Sequence, residues 1–108
     1  MSLLPFRIQT QTGETIDFEF ALHADTGSAV RVSQLLTAVL ETIDRELKVL
    51  GDTSNGDILQ SLAMATAARV RMIHAPLPQT SGLARDLLAQ ALDGAATARS
   101  DDGMVGHA

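Results

Sequence analysis

VRVSQLLTAVLETIDRELKVL, running from Val30 to Leu50, is the stretch that decides the fold. Its apolar positions Val32, Leu36, Val39, Leu40, Ile43, Leu47 and Leu50 recur mostly at intervals of three and four, which lays them along one stripe of an α-helix. On the other face Glu41 precedes Arg45, and Asp44 precedes Lys48, by four residues. That is the favourable order for exposed helical ion pairs, at about 0.2–0.5 kcal/mol each. Gly51 follows directly, and glycine there can take the left-handed conformation that ends a helix. A stripe this long has to be covered, so the remaining segments must supply the cover.

Upstream, residues 6–11 alternate, with Phe6, Ile8 and Thr10 opposed to Arg7, Gln9 and Gln11. After Thr12-Gly13 the alternation resumes, with Ile16, Phe18 and Phe20 opposed to Thr15, Asp17 and Glu19. The pattern predicts a β-hairpin with one apolar and one polar face. All three aromatic residues of the chain fall on the apolar face. A lone hairpin is marginal in water, so this one needs a helix or a second chain against it.

Downstream, residues 52–56 are loop chemistry, with Ser54 or Asn55 as cap of a second helix and Asp57 near its positive end. That helix is predicted to reach about His74, with Leu59, Leu62, Thr66, Val70 and Ile73 as its main stripe. Ala63, Ala65, Ala67 and Ala68 flank the stripe and mark it as the central, most buried helix. Arg69, Arg71 and His74 collect at its C-terminal end, where the macrodipole favours cations. Pro76 and Pro78 are expected to break the chain. Thr80 or Ser81 then caps a shorter third helix to about Ala98, with Leu83, Leu87, Leu88, Ala91 and Leu92 as its stripe and Gly94 weakening its last turn. The tail, residues 99–108, reads as disordered. The expected fold is therefore α+β: an N-terminal two-stranded antiparallel hairpin, a long amphipathic helix, an Ala-rich helix and a short C-terminal helix, in a single domain over residues 1–98.

Composition narrows the function classes. Apolar residues make up 45 % of the 108 and charged ones 19 %, a globular balance. Net charge is −5, and only one base is lysine, Lys48. An acidic chain without a basic stripe or aromatic platform argues against nucleic acid and against anionic membrane surfaces. Absence of cysteine excludes disulfides, thiolate metal sites and cysteine nucleophiles. The opening residues lack a basic and then apolar leader pattern, and no apolar run approaches the roughly 18 residues that span a bilayer, so a cytoplasmic location is expected.

Four constellations could carry chemistry. Asp25-Thr26-Gly27-Ser28 has the D-T-G-S pattern of aspartic proteases, in which two aspartates share a proton. Those enzymes are all-β, whereas a long helix follows here, so the motif is read as a helix-capping connector. Residues 52–57 place Asp52, Ser54 and Gly56 at alternate positions. Counted from Asp52, however, an EF-hand loop needs glycine where Asp57 stands and an acid where Ala63 stands. His23 and Asp25, with His74 from elsewhere, could ligate a metal, although none shows helical ligand spacing. Arg69, Arg71 and His74 could meet an acidic partner, but dipole compensation explains them as well. No catalytic, cofactor-binding or metal residue is assigned, and no cofactor is expected.

Thr53-Ser54-Asn55 before Asp57, then Leu59, Leu62, Ala63, Met64 and Ala68 at small or apolar positions, follow a hairpin and a long helix. In that order of elements the chain resembles the cell-division protein ZapA family, over about residues 6–73. Thr66 stands where the family usually has Asn, and Val70 where it has an acid. The family's second helix continues into a coiled coil that makes tetramers, whereas Pro76 and Pro78 end it here. The resemblance implies a homo-oligomeric scaffold and leaves filament bundling unassigned.

The expected role is thus a small, non-catalytic protein–protein interaction or scaffold protein. It would act as a homodimer or higher homo-oligomer through its helices, with Leu36, Val39, Ile43 and Leu47 at the interface and a further protein partner. The alternative is a small-ligand or metal-binding accessory module built on His23, Asp25 and His74.

Overall fold

The computed structural model describes residues 2–101. In chain order it contains β1 (Leu3–Gln9), β2 (Thr15–Ala21), α1 (Ala29–Leu50), α2 (Asn55–Met72), α3 (Leu77–Ala96) and β3 (Arg99–Asp101). This is the expected α+β order, an antiparallel hairpin and then three helices, with one short strand added. The chain divides into two compact units. A sheet unit uses the residues up to Ser33 and those from Leu87 onward; a helical unit runs from Gln34 to Asp86.

In the sheet unit β1 and β2 pair in a register that sets Leu4 opposite Phe20, Phe6 opposite Phe18 and Ile8 opposite Ile16. Because strand side chains alternate, these six share one face. The Phe18 and Phe20 rings stack on it, with centroids 5.0 Å apart and planes 12° from parallel. The hairpin turns where Gly13 N–H donates to Thr10 O at 3.0 Å, and Gly13 then takes a φ of 92°. Thr10 Oγ1 also accepts from Glu14 N–H at 3.0 Å. Pro5 falls within β1. The bonds Leu22 N–H to Ser2 O and Thr10 N–H to Glu14 O assign the even residues of β1 to the β2 side. Pro5, which has no N–H, therefore sits on the outer edge, where none is needed.

Residues Arg99–Asp101 correct the expectation of a disordered tail from residue 99. They pair with β2, Arg99 beside Asp17 and Asp101 beside Thr15, so the sheet has three strands in the order β1-β2-β3. The rest of the expected tail, residues 102–108, lies outside the described residues. Gly94, expected only to weaken a helix turn, is buried against β2. A Cβ there would lie 2.7 Å from Phe20 Cδ1 and 3.4 Å from Glu19 O. Glycine lets the end of α3 approach the sheet that closely.

The helix boundaries follow from local chemistry. Ser28 Oγ accepts from Arg31 N–H at 3.1 Å and caps α1. Gly51, at φ 82°, ends it with its N–H on Leu47 O at 3.0 Å. Ser54 caps α2 through Asp57 N–H at 3.1 Å. The third helix departs from expectation. It begins at Leu77, so Pro78 stands in its first turn, where a missing N–H costs nothing and a fixed φ helps. Pro76 O accepts from Gln79 N–H and Thr80 N–H, starting the helix. Thr80 is buried inside the first turn, its hydroxyl donating back to Leu77 O at 3.2 Å, and is not the cap. At 20 residues α3 is longer than α2, at 18.

A methyl at position 94 tests the helix-to-strand approach. In an open helix Gly→Ala gains up to about 1 kcal/mol. Here Gly94→Ala is expected to lower stability by about 1–2 kcal/mol, the cost of overpacking less that gain, as read from urea denaturation at pH 7.

Candidate functional site

The helices leave many large apolar side chains exposed. On α1 the half-buried positions are Ala29, Ser33, Leu36, Leu40, Ile43 and Leu47, with Thr37 beside them. They form a three–four repeat, the seam of one helix face. Three of the expected interface residues, Leu36, Ile43 and Leu47, belong to that seam and are partly covered within the chain. Val39 lies on its flank and is 45 % exposed. Leu35, on the same flank, is 60 % exposed and fell outside the predicted stripe. Its signal was present, because Val32, Leu35 and Val39 repeat at three and four. The outer-face ion pairs are not formed: Arg45 donates to Thr42 Oγ1 at 3.2 Å instead.

The expectation that α2 is the most buried helix is also corrected. None of its residues is buried. Ile58, Leu62 and Val70 are half-buried, whereas Leu59 is 66 % and Met64 60 % exposed. Alanine cannot by itself fix how deep a helix lies; it only permits close approach. In all, nine large apolar side chains of the helical unit are exposed, and Leu4 in the sheet unit is the one large apolar side chain classed as buried among the described residues.

The polar constellations serve local structure. In the D-T-G-S segment Ser28 caps α1, and Thr26 N–H donates to His23 O at 2.9 Å. His23 Nδ1 accepts from Asp25 N–H at 3.1 Å, so that nitrogen holds a lone pair. Its 3.8 Å approach to Asp25 Oδ2 is then no ion pair in this tautomer. Among the described residues no three His, Asp or Glu side chains gather closely enough to hold a metal; His23 and Asp25 belong to the sheet unit and His74 to the helical unit. In the loop after α1, Thr53 Oγ1 donates to Gly51 O at 2.9 Å while Ser54 caps α2. Arg69 reaches along its own helix to Met72 Sδ at 3.7 Å. No helix among the described residues is long and apolar enough to cross a membrane.

No protein-family model, no curated protein and no solved structure matches the chain.

The polar face of the sheet carries the clearest electrostatic feature. Arg7 Nε donates to Asp17 Oδ1 at 2.6 Å and Nη2 to Oδ2 at 3.3 Å, across directly paired residues of β1 and β2. Arg99 of β3 is the strand-register neighbour of Asp17 on its other side. The hydrogen bond from Arg7 is the main cause holding the Asp17 carboxyl below its ordinary range, and the charges of Arg7 and Arg99 act the same way. The Arg7 guanidinium is raised in turn, chiefly by its hydrogen bond to Asp17. A lowered carboxylate adds stability above its unfolded-state value and loses it as pH falls through the folded one. Asp17→Asn is therefore expected to be less stable than the parent at pH 7. The difference should close below about pH 4, as measured by urea denaturation from pH 7 to pH 2.

Proposed function

We propose that this chain is a small, non-catalytic interaction protein that works as a helix-mediated homo-oligomer, a scaffold role of the kind the ZapA resemblance implies. One observation supports the reading above the rest. The helical unit leaves nine large apolar side chains between 45 and 78 % exposed. Fully burying one such side chain is worth about 1.5–3 kcal/mol. Covering what these nine leave open would then contribute on the order of 10 kcal/mol per chain. Association costs roughly 4–15 kcal/mol in lost freedom and ordering. The balance favours an oligomer only if most of these side chains are covered together, which suits an extensive helix-to-helix interface better than a single anchor. Within this reading the α1 contribution shifts from the seam to its flank, Leu35 and Val39.

Light scattering on a sizing column, over a wide dilution series, tests it. The parent chain should elute as a dimer or larger species that persists on dilution. Leu35→Asp/Val39→Asp should shift it to a monomer with helical content kept, because both side chains are exposed in one chain. A parent chain that is monomeric at every concentration overturns the reading.

A further inference from the structure

We propose that Asn55-Gly56, in the first turn of α2, is a self-modification site gated by the Ser54 cap. There the asparagine closes onto the next peptide nitrogen, loses ammonia and becomes aspartate or isoaspartate. The inference is independent of the homo-oligomer reading.

Asn55 is the one asparagine of the chain, and glycine follows it. Attack on a side-chain amide by the following backbone nitrogen needs room and rotational freedom at that nitrogen, and glycine, without a Cβ, gives the most of both. Nothing in the fold asks for glycine at position 56. Its φ is not positive, unlike those of Gly13 and Gly51. A Cβ there would meet only Ser54 Oγ, at an ordinary 3.7 Å. Glycine is also a poor helix former, so the conformation does not explain its presence. Both residues are exposed. Among the described residues neither the Asn55 side-chain amide nor the Gly56 N–H has a hydrogen-bond partner. That N–H is one of those at a helix start for which the helix itself holds no acceptor.

In the step itself, solvent hydroxide takes the Gly56 amide proton and the nitrogen attacks Asn55 Cγ. The N–Cγ bond forms, the Cγ–Nδ2 bond breaks, and Nδ2 leaves as ammonia with a proton from water. A five-membered imide remains. Water then opens it at either carbonyl, giving aspartate or, with the main chain routed through Cγ, isoaspartate. The net change is one water taken up and one ammonia released. Closing the ring turns the Asn55 backbone out of its helical range, so the first turn has to open. Ser54 holds that turn twice, its Oγ accepting from Asp57 N–H at 3.1 Å and its O from Ile58 N–H at 3.2 Å. The cap therefore sets how often the reactive geometry is reached. Aspartate adds a charge where the helix dipole favours one; isoaspartate lengthens the main chain and displaces the cap.

Mass spectrometry of the full chain, incubated folded and then cleaved after Lys48 and Arg69, isolates the site in the peptide of residues 49–69. That peptide should gain the mass difference between an amide and an acid, placed on Asn55 by fragmentation, and separate into aspartate and isoaspartate forms. Conversion should be faster at pH 8 than at pH 7, since hydroxide removes the amide proton. It should lie within about a hundredfold of the rate in guanidinium chloride, because a terminal turn opens at small cost. Ser54→Ala should speed it about fivefold by weakening the cap. Gly56→Ala should slow it at least about fivefold, by firming the turn and crowding the nitrogen. A folded chain that stays intact while the unfolded chain converts, or a mass change that falls on Gln60 instead, overturns the site. Ser54→Ala converting no faster than the parent overturns the gate, and Gly56→Ala converting as fast as the parent overturns attack by that nitrogen.

Discussion

The approach of Gly94 to Phe20 is the contact on which the sheet unit depends. A Cβ at position 94 would stand 2.7 Å from the ring, so only glycine lets the last turn of α3 lie on β2. With the helix end held there, the chain leaves it at Ala96 and reaches Arg99 beside Asp17 within three residues. The short third strand and its arginine beside Asp17 lie directly after that close approach. The closure is long-range. The helical unit, residues 34–86, is inserted between the two parts of the sheet unit, and closing a loop of that length costs roughly 3–4 kcal/mol in chain entropy. The stacked Phe18 and Phe20 rings, worth about 0.5–1.5 kcal/mol beyond their burial, offset part of it. Against them stands Gln90 Oε1, buried without a protein hydrogen-bond partner.

What could be read from the sequence was local. The hairpin, α1 and their boundaries rest on alternation, on three–four spacing and on the caps Ser28, Gly51 and Ser54, each of which acts within four residues. Pro78 departs from expectation because proline breaks a helix interior but suits a first turn, and the pattern around it does not say which turn it occupies. β3 and the role of Gly94 were beyond sequence reasoning. They depend on partners 74 to 86 residues away, which leave no periodic trace.

The exposed apolar surface was legible in kind and not in detail. Spacing gives the side chains that share a face; it does not give the depth at which that face lies. Leu40 and Val39 are neighbours in the same apolar run, yet Leu40 is half-buried and Val39 exposed. The error over α2 has the same source. Its alanines and leucines predict enclosure, whereas none of its residues is buried.

The distribution of polar chemistry supports the same conclusion from the other side. Ser28, Ser54, Thr10 and Thr80 commit their hydroxyls to caps, a turn and a back-bond. Asp17 is committed to Arg7. These five side chains hold local structure, while many of the large aliphatic side chains are exposed. If these are covered by a second copy, folding and association become one equilibrium, because a helical unit whose aliphatics are at most half-buried gains much of its stability only in the oligomer. Such a chain would trade independent stability for a surface that is complete only when shared.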